Sequence, residues 1–416
     1  MITSSCGFNV SRFGPLSASL SSATPGTIIT VAGSTLGTAG YTGDGGAATS
    51  ATLHQPTALA IDNAGNIFVA EWFNNSVRMI PAATANCFGV NMTAGSIYTV
   101  AGNGAAAYTG DSGPATSATI NNPYAIAVDG NGDLFIADTG NNAIRFVPAT
   151  TGTYFGLPRT RANIYTIAGS GGAANFSGDG AAATSAKLAN PYGLAVDGLG
   201  NLIVSDTNNF RVRMVPAITN SYYGTGPITA ENIDTIAGTG VAGNSGDTAA
   251  ATSAQVTFRN IAVSLTRDLY FADSNHNVIR MIPATTASHF GVSMTAGDIY
   301  TIAGGGGLSA DGETPLNTLF TFVTDIAVDS SGNVFIDDYG TSKIRMIAAA
   351  TGTFYGVDMV AGNVYTIAGN GTGGYTGDNG PAFQAELNTP YSIALDTNGN
   401  LYIADTSNNV IRKVFK

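Results

Sequence analysis

The residues best suited to chemistry are polar side chains that interrupt an internal repeat of this 416-residue sequence. At one repeat position, where three copies have alanine or glycine, Asn260 and Asp325 stand in adjacent copies, with Arg259 just before Asn260. Amide and carboxylate oxygens can bind a cation, and an arginine can stabilise developing negative charge. Asp337 replaces an alanine in a strand that we expect to be packed, so a cation or Arg259 must offset its desolvation.

Histidines and aromatic residues are the second group of candidates. His276 replaces an asparagine in a turn of the fourth copy, His54 precedes the first strand of the first copy, and His289 is expected at the surface. Their spacing does not form a zinc triad. Three aromatic candidates stand at the repeat position that Arg259 occupies in the fourth copy, and they are Tyr124, Tyr192 and Tyr391. The others replace small turn residues and are Trp72, Phe73, Phe210 and Tyr339. Each of them either packs a loop or belongs to a rim that contacts a ligand.

The repeat itself predicts the elements that position these residues. A TGDG-type run has its aspartate at intervals of 67, 68, 68, 64 and 67 residues, and each copy continues with the same pattern. Short apolar runs separated by Gly/Asn/Asp turns indicate antiparallel hairpins, and four-stranded units at this period indicate propeller blades. The predicted first strands are Ala58–Asp62, Ala125–Asp129, Gly193–Asp197, Asn260–Ser264, Asp325–Asp329 and Ser392–Asp396.

The ends of the chain predict how the ring closes. The last copy lacks a fourth strand, and the segment Ile28–Gly33 supplies an extra one before the first copy. Pairing the two would leave no open edge. We therefore predict an all-β, six-bladed propeller over 28–416, preceded by an N-terminal arm over 1–27. Ligands would bind where the loops of several blades converge at one mouth of the central channel.

Most of the charge belongs to the repeat and is predicted to be structural. One position carries Arg78, Arg145, Arg213, Arg280, Arg345 and Arg412. Another carries Glu71, Asp138, Asp206, Asp273, Asp338 and Asp405. These residues are expected to pair or to cap turns within each blade. The TGDG-type aspartates are expected to cap short helices, and the alternating acids of a calcium loop are missing around them.

Composition excludes several functional classes. The net charge of -11 and the presence of only four lysines argue against binding to nucleic acid or to an anionic membrane surface. No run reaches the roughly 18 apolar residues of a membrane helix. Low lysine with abundant Thr, Ser, Asn and Gly predicts a secreted, periplasmic or cell-surface bacterial protein, expected to be a monomer. The opening residues MITSSCGFNV lack the charged start and apolar run of a signal peptide, so we expect a mature form, in which Cys6 and Cys87 could pair or stay apart.

The second copy reads AVDGNGDLFIADTGNNAIR (Ala127–Arg145) and is followed by TIAG (Thr166–Gly169). This combination, repeated six times in register, resembles NHL-type β-propeller repeats over about residues 28–416. The resemblance implies a six-bladed propeller. It does not imply one activity, because propellers of this kind include binding modules and enzymes.

Two functional hypotheses follow. The first is a calcium-assisted hydrolase of small esters, lactones or phosphotriesters, similar to the gluconolactonase-like and phosphotriester-cleaving six-bladed propellers. That likeness implies metal ligands at Asn260, Asp325 and Asp337, with Asp325 or His276 as base or nucleophile and Arg259 stabilising negative charge. The glutamate expected in such a ligand set is missing here.

The second hypothesis is a non-catalytic binding module that recognises a glycan or a peptide at the same mouth. The residues that would contact its ligand are His54, Trp72, Tyr124, Tyr192, Tyr339 and Tyr391. In that case the acids of the fifth copy would form a local ion pair with Arg259.

Overall fold

The computed structural model describes residues 24–34 and 37–416. It confirms the all-β fold, with six four-stranded antiparallel sheets arranged as blades around a central channel. The first strands, which line the channel, are Pro56–Ile61, Pro123–Val128, Pro191–Val196, Ile261–Val263, Val323–Val328 and Pro390–Leu395. The second strands are Ile67–Glu71, Leu134–Asp138, Leu202–Asp206, Leu269–Asp273, Val334–Asp338 and Leu401–Asp405.

The outer half of each blade follows the same order. The third strands are Ser76–Ile80, Ala143–Val147, Arg211–Val215, Val278–Ile282, Lys343–Ile347 and Val410–Val414. The fourth strands are Tyr98–Ala101, Tyr165–Ala168, Asn232–Ala237, Asp298–Gly304, Val364–Ala368 and, in blade six, Ile28–Ala32. Blades three and four add Ala181–Ala182 and Ala249–Ala250 at their outer edges. Within the described ranges the chain contains no α-helix. Its short 3-10 helices are not long and apolar enough to cross a membrane.

Short elements fill the connections. Five blades carry a small hairpin between strands three and four, formed by Ala85–Cys87 with Val90–Met92, Gly152–Tyr154 with Leu157–Arg159, Asn220–Ser221 with Pro227–Ile228, Ala287–His289 with Val292–Met294, and Gly352–Phe354 with Val357–Met359. Single 3-10 turns occur at Ala48–Ser50, Thr139–Asn141, Ala183–Ser185, Thr207–Asn209, Ala251–Ser253, Pro315–Asn317, Tyr339–Thr341, Ala382–Gln384 and Thr406–Asn408. We call the face with the turns between strands two and three the upper face, and the opposite one the lower face.

Most of the first strands begin two residues earlier than the sequence predicted. In five blades the strand starts before the predicted residue, as Pro56 does in blade one, because a bulge after its first pair keeps the early residues in the ladder. A proline is tolerated at the first position of a strand. Asp62, predicted as the last residue of this strand, lies one residue beyond it and accepts hydrogen bonds from the N–H groups of Ala64 and Asn66, which fixes the turn.

The ring closes as predicted. Ile28–Ala32 pairs antiparallel with Val410–Val414, so the N-terminal strand completes the sheet of the C-terminal blade. The amide of Thr30 also donates to the Asp378 carboxylate at 3.2 Å. Cys6 lies outside the described residues, and Cys87 is fully buried in blade one.

Buried arginines bind the TGDG-type aspartates in every blade, which corrects their predicted role as helix caps. The pairs are Arg78–Asp44, Arg145–Asp111, Arg213–Asp179, Arg280–Asp247, Arg345–Asp311 and Arg412–Asp378, at 2.5 to 3.2 Å. In the described chain, the 3-10 turns that follow these aspartates have no side-chain cap. The aspartates therefore tie the connecting segment to the outer part of the blade.

Candidate functional site

Blade four departs from the repeat at the segment that carries Arg259. Ahead of four first strands, an asparagine of the upper turn accepts the N–H of the residue before the strand, as Asn142 does for Asn190 at 2.8 Å. Phe210 occupies that asparagine position ahead of blade four. The first strand of blade four is only three residues long, Ile261–Val263, and Arg259 is held through its N–H to the Ala272 carbonyl at 3.1 Å.

The Arg259 side chain spans the upper mouth of the channel. Its Nη1 donates to the hydroxyls of Tyr124, in blade two, and Tyr391, in blade six, at 2.9 and 2.8 Å. The guanidinium carbon lies 5.4 Å from the ring centroid of Tyr192 and 5.0 Å from that of Phe322. Across the described ranges, Arg259 has no ion pair, and its Nε and Nη2 have no hydrogen-bond partner.

These contacts define two parts of the mouth. We call Arg259, Tyr124, Tyr192 and Tyr391 the mouth floor, in which the Tyr124 ring centroid lies 4.2 Å from that of Tyr192 and 5.4 Å from that of Tyr391. The aromatic rim is His54, Trp72, Phe73, Phe322 and Tyr339.

The aromatic rim touches the floor from two sides. On one side His54 stacks on Phe73 at 4.8 Å, Phe73 stacks on Trp72 at 5.0 Å, and Trp72 meets Tyr124 at 6.0 Å. On the other side Tyr339 lies 5.6 Å from both Tyr391 and Phe322. The folded ring thus brings all six predicted ligand-contact residues and Arg259 into one contiguous cluster, although what they bind stays a prediction.

Phe322 is the member of the rim that sequence reasoning missed. Four other blades have Gln55, Asn122, Asn190 or Thr389 at this position, so a comparison of the copies could have revealed it. Its φ is 57°, a left-handed conformation that is uncommon for a bulky residue. The N–H of Phe322 donates to the Asn277 side chain at 2.5 Å, which holds the ring against Arg259.

Below the mouth floor, Asp325 joins three blades. Its carboxylate accepts from the Asn260 amide at 2.5 Å, from the Ile326 N–H at 2.7 Å and from the Ile393 N–H at 2.8 Å. Burial raises the pKa of Asp325 to about 6, against the opposing effect of these donors. Asp325 thus binds Asn260 and the backbone, and it makes no ion pair with Arg259 in the described chain.

Asp337 is the least satisfied acid of the channel wall. It is fully buried and pairs with Asp325 across the two strands, and neither of its carboxyl oxygens has a hydrogen-bond partner within the described ranges. Burial first, and then the neighbouring carboxyl of Asp325, raise the pKa of Asp337 well above its ordinary value. The carboxyl group is therefore neutral at low pH and resists ionisation as the pH rises.

Asp337→Ala, which restores the residue found at Ala137 and Ala404, is expected to stabilise the protein. The pKa of Asp337 is higher in the folded than in the unfolded chain, so the wild type loses relative stability as the pH rises from about 4 through the folded-state pKa. We expect a gain in unfolding free energy of about 1–3 kcal/mol at pH 8 and a smaller gain at pH 4.5. Urea unfolding at both pH values measures it, with exposed Asp358→Ala as the control. A gain independent of pH would contradict this assignment.

The three predicted calcium ligands, Asn260, Asp325 and Asp337, lie next to one another, but the first two are already hydrogen-bonded. Asn260 donates its amide to Asp325, and its own oxygen accepts the Ile261 N–H at 2.9 Å. No three His, Cys, Asp or Glu side chains of the described chain cluster as metal ligands. A cation at Asn260, Asp325 and Asp337 would have to replace hydrogen bonds that already satisfy the first two.

His276 replaces a turn asparagine of the repeat, and it makes the same hydrogen bond to the acid that ends strand two. Its Nδ1 lies 2.8 Å from the Asp273 carboxylate and 3.1 Å from the Thr257 hydroxyl. Asn141 makes the equivalent contact to Asp138 at 2.8 Å in blade two. His289 lines a separate cavity of about 640 Å³ on the lower face, between blades four and five.

Comparisons with known proteins agree with this architecture. A family model for the teneurin NHL domain matches residues 46–148, and one for the NHL repeat matches residues 188–213. Human teneurin-4 is 34% identical over 107 residues, which cover 23% of this chain and only 4% of teneurin-4.

Solved structures show the same fold over most of the chain. A Bacteroides thetaiotaomicron protein of unknown function has a TM-score of 0.59 and 16% identity, and covers 93% of this chain and 75% of its own. An auxiliary nutrient binding protein from the same organism has a TM-score of 0.56 and 15% identity, with the same coverage. Together with the sixfold internal repeat, these matches identify the chain as a six-bladed β-propeller with NHL-type repeats.

Proposed function

We propose that the protein is a non-catalytic binding module that holds a small ligand or glycan against the upper mouth of the propeller. The observation that carries this proposal is the contiguous aromatic cluster around Arg259, which draws residues from every blade. Side chains brought together from six separate repeats, at positions where other copies have small or polar residues, favour a shared surface over local packing.

The chemistry of the cluster suits a ligand with flat, weakly polar faces. Phe73 is 49% exposed, and Trp72, Tyr339 and Phe322 are half-buried, so their rings pack against the protein while part of each stays accessible. Aromatic residues of this kind supply contact area at low conformational cost. Sugar rings, with apolar C–H faces and hydroxyl edges, fit such a surface.

The nutrient-binding description of one structural neighbour agrees with this proposal. The likeness at 15% identity supports the fold, and the ligand-binding role rests on the mouth itself. A secreted, periplasmic or cell-surface monomer that presents this mouth to soluble glycans is the form in which we propose that the protein works.

Phe73→Ala is expected to weaken binding of any ligand of the mouth by about tenfold, because it removes an exposed ring of a stacked triplet. The measurement is isothermal titration against a panel of oligosaccharides, followed by the fluorescence of Trp72, the single tryptophan of the chain. Phe290→Ala is the matched control, because Phe290 is 40% exposed and belongs to the lower-face hairpin of blade four. Equal losses in both variants, or no ligand-dependent change in fluorescence, would count against the mouth as the binding surface.

A calcium-assisted hydrolase is the second candidate, favoured by one observation. Asp325 and Asp337 form a buried carboxyl pair with raised pKa values, Asp325 also accepts from Asn260, and such groups can exchange protons with a substrate. If a calcium ion bound here it would polarise a carbonyl or phosphoryl oxygen.

Chelation separates the two candidates. We expect the unfolding midpoint to be the same with EDTA and with added calcium, since the oxygens of Asp325 and Asn260 already have hydrogen-bond donors. Thermal unfolding in both conditions, beside turnover of activated esters, lactones and phosphotriesters by wild type and Asp325→Asn, is the measurement. A midpoint raised by calcium together with turnover lost in Asp325→Asn would favour the hydrolase.

A further inference from the structure

We infer that the ligand of the mouth is an acidic oligosaccharide, and that its carboxylate binds to the Nε–Nη2 edge of Arg259. This inference rests on the proposed binding function and names the class of ligand. It follows from the donors that the mouth floor leaves free, from the missing counter-charge and from the rings on either side of the guanidinium.

Arg259 is held in a fixed orientation with one edge free. Two tyrosine hydroxyls occupy Nη1, and the rings of Tyr192 and Phe322 lie against the guanidinium. Nε and Nη2 have no partner in the described chain. These two N–H groups form the fork that binds a carboxylate through two parallel hydrogen bonds. Because Nη1 is already anchored, little side-chain entropy is lost when the other edge is used.

The floor presents hydrogen-bond donors and few acceptors. The Tyr124 and Tyr391 oxygens accept from Arg259, and each hydroxyl proton has no acceptor among the described residues. Burial raises the pKa of Tyr124, so its hydroxyl keeps the proton at neutral pH. A ligand rich in acceptors matches this arrangement, whereas the backbone N–H groups of a peptide would find few acceptors.

No carboxylate of the described part of the chain neutralises the charge of Arg259. Each repeat arginine, such as Arg145 with Asp111 at 2.6 Å, has a carboxylate partner, whereas no carboxylate of the described chain lies within ion-pair distance of Arg259. The chain as a whole carries a net charge of -11, so this guanidinium gives an acidic protein a local preference for anions. A carboxylated sugar uses the charge and the aromatic rim at once.

The test compares acids with their neutral esters. The probes are trigalacturonate, triguluronate and sialyllactose, each beside its methyl ester, which keeps the sugar rings and removes the charge. An acetylated tripeptide with a free C-terminal carboxylate is the peptide arm. Isothermal titration and Trp72 fluorescence give dissociation constants for the wild type, Arg259→Gln, Arg259→Lys and Arg211→Gln. Arg211 is the matched control, because it also lies over an aromatic ring, that of Phe176 at 3.8 Å, and has no carboxylate partner in the described chain.

We expect at least one acid to bind 10- to 100-fold more tightly than its ester. Arg259→Gln should abolish that preference, Arg259→Lys should recover only part of it because the fork is lost, and Arg211→Gln should keep it. Equal binding of acid and ester, or a preference that survives in Arg259→Gln, would overturn the inference.

The outcomes also separate this inference from the binding function beneath it. If neutral esters bind as well as the acids, with an affinity sensitive to Phe73→Ala, the proposed binding function stands and only the carboxylate contact with Arg259 is overturned. Binding of the peptide alone would overturn the saccharide assignment. Failure of every probe and of the wider oligosaccharide panel would overturn both.

Discussion

Replacing Arg145 by alanine is expected to lower the free energy of unfolding by about 3–5 kcal/mol. The guanidinium is fully buried and lies 3.1 Å from the Asp138 carboxylate and 2.6 Å from that of Asp111. It also donates to the carbonyls of Thr109 and Thr119. Removing it leaves Asp138 buried without its counter-charge and frees the connecting segment that carries Asp111 from blade two.

Denaturant unfolding measures this loss, with Arg145→Lys and Lys187→Ala beside it. Arg145→Lys keeps the charge but cannot reach both acids and both carbonyls, so an intermediate loss is expected. Lys187 is exposed, and its replacement should change the free energy by less than about 0.5 kcal/mol. A loss below about 1 kcal/mol in Arg145→Ala would show that the repeated arginines contribute little to the stability of the blades.

Deleting residues 24–33 is expected to cost about 4–8 kcal/mol and to expose the edge of blade six. The deletion removes the ladder between Ile28–Ala32 and Val410–Val414, the burial of Ile28, and the Thr30 amide bond to Asp378. The unpaired third strand of blade six would then offer its backbone to a second copy. Thermal unfolding and sedimentation report the loss of stability and the association.

A circular permutant distinguishes loss of the strand from relocation of the chain ends. The start of the described chain lies beside the C-terminal strand, since the Gly26 N–H donates to the Phe415 carbonyl at 2.7 Å. Joining 416 to 24 through a short Gly/Ser linker and opening the chain beside exposed Val241 keeps every blade complete. This permutant should unfold near the wild-type midpoint. If it were as unstable as the deletion, the effect would come from the position of the ends and not from the missing strand.

The repeated positions could be predicted from the sequence, because each one recurs in the same local surroundings. The arginine of strand three and the acid that ends strand two were predicted to pair, and Arg145 lies 3.1 Å from Asp138. The prediction that the TGDG-type aspartates cap helices was wrong, because the partner of Asp111 is Arg145, 34 residues further along the chain. Local sequence suggested a helix cap, and only the folded blade shows that the connecting segment returns to its outer strands.

The candidate site shows the same division. Departures from the repeat identified Arg259, Asn260, Asp325 and Asp337, since a change at one position of six can be read directly from the chain. The residues that these side chains contact could not be predicted from the sequence. Arg259 was expected beside the acids of blade five, but it binds the hydroxyls of Tyr124 and Tyr391, which are 135 and 132 residues away.

The sequence by itself determined the number of blades, the closure of the ring and the scaffold charges, because hydrophobic alternation, turn residues and a fixed period act within one repeat. The tertiary structure decided which side chains meet at the channel mouth, because a closed ring brings blades two, four and six to one axis. It also decided that Arg259 stands among tyrosines, with no carboxylate of residues 24–34 and 37–416 within ion-pair distance. Contacts across the axis depend on the curvature of the whole ring, and no single repeat encodes that curvature.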